Sequence, residues 1–251
     1  MSTLNTWFLL LAILSLIATL VSIPSDSVYK PWVVMFASIT CCILAAYTLL
    51  RYLQIRGLIE WLHIRNSLGI LSVYPRGSGH YDELFSRISK SRDLKIMALS
   101  AESLVRFSAD AMIEALIKNN CEIRILIAQE TADIVSETEE MEGADRIGQI
   151  KTEIRHTTAR LSEILRGAKE KSSPNSSIGR IWISRYKAAL RGAMIICDNS
   201  WCWYTPNLPP KRAINSASFV LDRVPNGMLQ DCLYHFDRVW NLYSAERSEI
   251  T

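Results

Sequence analysis

The sequence predicts an α/β protein carried on a membrane hairpin, and three observations predict it. The first fifty residues are nearly uncharged and hold two long apolar runs separated by a polar break. After Arg51 the composition becomes that of an ordinary water-soluble domain. Within that domain, short β-branched runs alternate with amphipathic stretches, beginning with a strand, a helix and a strand of the lengths a parallel βαβ unit needs. The expected organisation is a two-helix transmembrane hairpin over 1–50, a juxtamembrane linker helix over 51–75 and a cytosolic α/β domain over 76–251.

The first apolar run spans 6–23, the turn 24–31 opens and closes on Pro24 and Pro31, and the second run spans 32–50. About 20 apolar residues of helix cross a bilayer core of about 30 Å, and a helical pair satisfies its own backbone polar groups in lipid. No Lys or Arg precedes Trp7 and no small-residue cleavage site follows Ile23, which argues against a cleaved signal peptide. The turn carries Lys30 offset by Asp26, whereas Arg51, Arg56 and Arg65 follow the second run. The positive-inside rule therefore expects both termini in the cytoplasm and the turn outside, in a multi-pass inner-membrane protein. Residues 52–71 keep helical spacing and continue the second span or lie in the headgroups with Trp61 as anchor; Gly57 is a candidate hinge.

In the domain, 81–91 reads as an amphipathic helix, 94–99 as a strand, and Ser100 to Ser103 as the cap of a helix over 104–119. A second strand follows over 121–128. A long charged helix over 136–171 is expected to bury Ile147, Ile150, Ile154, Leu161, Ile164 and Leu165. After the loop 172–177 come strands at 181–184, 194–197 and 218–221, and a closing helix with Leu229, Leu233, Phe236, Trp240 and Tyr243 on its apolar face.

The 28 Lys and Arg against 25 Asp and Glu leave a net charge of +3, too small to point to nucleic acid except through local clustering. Cys121, Cys197, Cys202 and Cys232 are scattered, and Cys41 and Cys42 fall inside the second apolar run. No C-x-x-C or Cys/His spacing suggests zinc, so reduced structural thiols are expected, with no metal and no cofactor.

The strand 93–100, its capped helix, the strand 122–127, the segments 181–186 and 194–198 and the final helix ending at Trp240 together resemble the phospholipase D-like family over about residues 70–245. The order of elements carries this resemblance more than any single motif. The family's catalytic signature is H-x-K-x4-D, in which the His attacks a phosphodiester and the Lys holds its oxygens. Aligned on Asp198, the corresponding positions hold Arg191 and Ala193. An arginine stays protonated and offers no lone pair for attack. His63, His80, His156 and His235 all lie away from that strand in the sequence reading. The resemblance thus implies a degenerate domain with no catalytic residues.

Cations and rings surround the degenerate motif: Arg180, Arg185, Lys187 and Arg191, then Trp201, Trp203 and Tyr204, then Lys211 and Arg212. Charges that hold phosphates and rings that stack bases suit a nucleotide or single-stranded oligonucleotide ligand. The alternative reading makes the tryptophans core residues and the charges a solvated face. Ser100, Glu102 and Ser103 form a second anion-ready spot at a helix start, or simply its cap. On the first apolar run, Ser15, Thr19 and Ser22 fall at i, i+4 and i+7, as pore-lining groups or as small residues at a helix–helix contact.

A membrane hairpin on a degenerate domain of this kind is similar in architecture to the membrane effectors of bacterial anti-phage nucleotide-signalling systems of the Hailong type. That resemblance implies an ion-permeable pore gated by a ligand that a partner nucleotidyltransferase makes. A hairpin cannot conduct alone, so homo-oligomers in membrane lipid are expected, and the phospholipase D-like resemblance implies dimers or a dimer of dimers. The alternatives are a membrane-tethered phosphodiesterase or nuclease with another nucleophile, and an anchored scaffold for a protein partner.

Overall fold

The computed structural model describes residues 30–75, 81–174, 176–188, 192–206 and 216–251, with side chains described from Tyr47 onward. The chain divides into two compact units, residues 1–63 and 64–251. The first run, Ser15, Thr19 and Ser22 lie outside the described residues, as do the side chains of most of the second run. Among the described residues, no helix is long and apolar enough to cross a membrane.

Helix α1 (Lys30–Leu68) is continuous over 39 residues, so residues 51–68 extend the same helix that begins before the second apolar run. Pro31 sits in its first turn, where a missing N–H costs no helical hydrogen bond. Gly69 ends it. Gly69 N–H bonds the Arg65 carbonyl at 2.9 Å and its φ is +73°, a left-handed conformation that glycine adopts freely. Strand β1 (Ile70–Tyr74) follows at once, where the sequence reading had extended the linker helix.

The second unit is built on one eight-stranded mixed sheet. After α2 (Tyr81–Lys90) come β2 (Asp93–Ala98), α3 (Glu102–Phe107), α4 (Ala109–Asn119) and β3 (Glu122–Ala128). Then α5 (Asp133–Glu142), α6 (Gln149–Lys171), β4 (Arg180–Tyr186), β5 (Gly192–Cys197) and β6 (Trp201–Pro206) lead to β7 (Ser218–Asp222), α7 (Met228–Leu242) and the short β8 (Ser248–Glu249). The spatial order is β1-β7-β6-β5-β2-β3-β4-β8. Strands β2, β3 and β4 are parallel, with Asp93 opposite Glu122 and Glu122 opposite Arg180, as the strand–helix–strand pattern requires. The remaining pairs are antiparallel.

Alternation along β2 sets the two layers. Lys95 points towards α7, where it meets Asp237, while Leu94 and Ile96 point the other way into the main core. There α2, α4 and α6 pack on one another. Their stripes (Leu84, Ile88; Met112, Leu116; Ile154, Leu161) are buried.

Three sequence-level elements are revised by short-range geometry. The helix expected over 104–119 is two helices: Ser108 bonds its hydroxyl to the Leu104 carbonyl at 2.8 Å and stands between the end of α3 and the start of α4. The helix expected over 136–171 is interrupted at Gly143 and Gly148, both at positive φ, around a short 3-10 turn over Ala144–Arg146. Ile147 sits in that break and is 66% exposed, so it leaves the buried stripe, whereas Ile150, Ile154, Leu161, Ile164 and Leu165 remain in it. The third revision is β6, an interior strand absent from the strands expected from sequence, although Trp201 and Trp203 were weighed there as core residues.

Candidate functional site

Because β2, β3 and β4 are parallel and β5 runs against β2, one edge of the sheet gathers the end of β2, the start of β5, the end of β6 and the start of β7. A cavity of about 240 Å³ opens there. Its floor is Ala193, Ile195, Trp203 and Thr205 from the strands, and its walls include Tyr81 and Phe85 of α2, Leu99 to Ser103, Phe107, and Glu142 and Glu153 of α5 and α6. Among the described residues that line it there is no histidine, lysine or cysteine.

Arg146 holds the acidic side of the cavity together from behind. Its Nη2 donates to Glu153 Oε1 at 3.1 Å and its Nε to Glu142 Oε2 at 3.2 Å. Burial alone would make the guanidinium easier to deprotonate, but the hydrogen bonds to Glu153 and Glu142 outweigh it and push the pKa up. Glu153 Oε2 also accepts from Ser100 Oγ at 2.8 Å, and Thr157 Oγ1 holds the Ser100 carbonyl at 2.6 Å. Opposite them, the Thr205 and Ser218 hydroxyls lie 2.8 Å apart across β6 and β7. The acidic loop owes its position to the buried Glu139, whose Oε1 accepts from Ile150 N–H at 2.8 Å and from Lys151 N–H at 3.3 Å and so caps α6.

The residues singled out from sequence fall in three places. Ser100 and Ser103 line the cavity, yet neither caps α3: Ala101 precedes that helix at φ +61° with no side-chain cap, and Ser100 is committed to Glu153. Arg185 and Lys187 lie at the same sheet edge. Arg185 reaches Thr158 Oγ1 at 3.4 Å, beside the threonine that holds Ser100, and Lys187 is exposed just past β4. Arg180 is at the other end of β4, about 17 Å away at ~3.3 Å per residue, with its Nε 4.0 Å from Glu249. The structure therefore does not bring Arg180 together with Arg185 and Lys187. Arg191, Lys211 and Arg212 lie outside the described residues.

The tryptophans take the core reading. Trp201 and Trp203 share one face of β6 with ring centroids 6.3 Å apart, and both are buried. Trp203 stacks on Tyr74 at 5.1 Å and on Tyr81 at 6.2 Å, presenting only part of its surface to the cavity. Tyr74 in turn donates to Glu83 at 2.9 Å, a bond that leads the upward shift of its pKa. Tyr204 points to the opposite face, 6.5 Å from Phe219, and has no part in the cavity.

Asp198 stands at the far end of β5, paired near Leu94. Its Oδ1 accepts backbone N–H bonds from Arg92 at 2.8 Å and Asp93 at 3.0 Å, while Asn199 donates to Asp93 Oδ2 at 3.0 Å. This is a joint between strands. His63 and His156 are exposed on α1 and α6, His235 is half-buried on α7, and none of the three lines the cavity. Burial pushes the Cys121 and Cys197 thiols up to about 12, so neither is a ready thiolate at neutral pH. Among the described residues no His, Cys, Asp and Glu group is arranged to hold a metal.

No family model matches the chain, and no curated protein matches it. Solved structures do, among them the following two. The chain is similar to members of the phospholipase D family. Nuc of Salmonella typhimurium matches at 13% identity and a TM-score of 0.40, over 71% of this chain and 95% of Nuc. The phosphatidylserine synthase of Haemophilus influenzae Rd KW20 matches at 12% identity and a TM-score of 0.40, over 71% of this chain but 39% of the synthase.

Sequence reasoning missed Glu142, Arg146, Glu153, Thr205 and Ser218, and it read Glu102 only as part of an anion-ready helix start. The i, i+4 pair of Glu142 and Arg146 was the available signal. Nothing in the spacing said that this pair would meet β6 and β7.

Proposed function

We propose that this protein is a non-catalytic membrane effector with a degenerate phospholipase D-like sensor domain. In this reading residues 1–50 form a hairpin in the bacterial inner membrane. The domain binds a nucleotide or single-stranded oligonucleotide made by a partner nucleotidyltransferase. Binding shifts the packing of hairpins in a homo-oligomer and gates an ion-permeable pore, in anti-phage defence of the Hailong type.

One observation carries the reading. The cavity at the sheet edge has room for a ring and has hydrogen-bonding walls, and its described lining holds no histidine, lysine or cysteine, with Ala193 on its floor. In this reading the pocket is a place to bind, and binding changes a membrane unit only through unequal affinity for its two states. Arg185 and Lys187 at the same edge supply the positive charge that a phosphate backbone needs.

The test is binding of a fluorescent single-stranded oligonucleotide to the detergent-purified chain, with conductance in planar bilayers measured in parallel. Arg185→Glu and Lys187→Glu are expected to abolish binding while the oligomer elutes unchanged. Binding that survives both charge reversals overturns the site, and bilayers that never conduct with or without the oligonucleotide overturn the pore.

A further inference from the structure

The cavity's own chemistry is not that of a phosphate site. Three carboxylates border it, Glu102, Glu142 and Glu153, and no cation is among its described lining residues. Arg146 is only 17% exposed at its side chain and is spent on Glu142, Glu153 and Gln149. Glu102 is different. Its side chain is 18% exposed and it is ion-paired to Arg106, whose Nε stands 3.8 Å away, longer than a hydrogen bond, so the carboxylate can still accept one. A half-buried carboxylate facing an apolar hollow calls for an N–H donor.

Much of the remaining lining is apolar. Trp203, Tyr81 and Phe85 form an aromatic wall, with Leu99, Leu104 and Ile195 beside it. Drug-sized ligands take about 300–1,000 Å³, and about 240 Å³ has room for one ring system inside.

We propose that this cavity takes a single amino-bearing ring, with the chemistry of an adenine- or cytosine-type base, and excludes phosphate. The ring lies against Trp203 and Tyr81, its amine donates to Glu102, and Ser103, Thr205 and Ser218 face its remaining polar edge. This inference rests on the cavity being the ligand site of the proposed sensor, and it divides the labour: base inside, phosphates outside along Arg185 and Lys187.

The experiment is calorimetric titration of the full chain in detergent with adenosine, cytidine, uridine and inorganic phosphate, for the parent and for two variants. Adenosine or cytidine is expected to bind, with uridine at least about tenfold weaker, since in uridine a carbonyl oxygen replaces the exocyclic amine and would face the Glu102 carboxylate. Phosphate is expected not to displace the nucleoside. Glu102→Ala should weaken binding by about tenfold or more. Ala193→Leu, which fills the floor from a different element, should abolish it, so the result does not depend on one variant folding. Equal binding of all three nucleosides, displacement by phosphate, or indifference to both substitutions overturns the proposal. If no nucleoside binds while the oligonucleotide still does so through Arg185 and Lys187, the base-in-cavity inference falls and the sensor reading stands. If neither binds, both fall.

Discussion

Lys95 Nζ donates to Asp237 Oδ1 at 2.9 Å, across 142 positions of sequence, and fixes α7 to the central strand of the sheet. The two partners are unequal. Lys95 is 5% exposed at its side chain and lies 5.6 Å from the Phe236 ring, whereas Asp237 is 48% exposed.

That asymmetry sets the first expectation. Asp237→Ala leaves a buried ammonium without its partner and should cost about 2–3 kcal/mol, while Lys95→Met leaves an aspartate that water can solvate and should cost about 1 kcal/mol or less. Urea unfolding of the two variants decides it; equal losses would mean that burial of Lys95 does not govern the pair.

Asp198 should act on stability and not on ligand binding. Its carboxylate serves two backbone N–H groups at the start of β2, at the sheet edge opposite the cavity. Asp198→Ala should cost about 1–2 kcal/mol, and Asp198→Asn clearly less, since Asn keeps an acceptor and tolerates the residue's φ of +52°. Thermal melts of both variants, with nucleoside titration of the folded protein, separate the two roles.

Gly69 should tolerate no side chain. A Cβ there would stand 2.4 Å from the Asp222 carbonyl oxygen, and the backbone is left-handed. Gly69→Ala therefore combines a clash with conformational strain of about 1 kcal/mol or more. The loss should appear as faster hydrogen exchange across β1 and β7, whose pairing begins at Ile70 and Leu221.

Stability should fall on the alkaline side. Cys121 and Cys197 hold their protons to about 12 in the folded chain because burial disfavours the thiolate. Tyr186 is shifted in the same direction for the same reason. Unfolded thiols release protons near pH 8.5. The unfolded state therefore binds fewer protons at these thiols between about pH 8.5 and 12, and their contribution to stability, constant below that window, is lost as pH rises through it. Melting temperatures at pH 7.5, 9 and 10.5 should decline, and Cys121→Ala should make the decline shallower. A parallel decline in that variant would place the titration elsewhere.

Much of the domain was legible because its elements carry strong local patterns. The strands at 94–99, 121–128, 181–184, 194–197 and 218–221 all appear within a residue or two of expectation. Continuous apolar runs can only be buried in a sheet covered on both sides. Strand β1 was missed because Ile70 and Leu71 continue a helical spacing, and only Gly69 and the pairing with β7 stop it. Trp201 and Trp203 could not be assigned from sequence, since an alternating aromatic run suits a binding surface and a central strand equally. Burial on both sides of β6 decided for the strand.

The sequence by itself determined the alternation of strands and helices and the parallel β2–β3 unit. These are properties of neighbouring residues, set by side-chain period and by chemical identity at single positions. Only the tertiary structure decided that Glu102, Glu142 and Glu153 face Thr205 and Ser218 across one cavity, and that Arg180 stands a strand's length from Arg185. Those relations come from the mixed sheet, in which β5 and β6 run against β2 and bring together segments that the chain keeps about a hundred residues apart. Local spacing carries no information about which edge of the sheet a distant segment will reach.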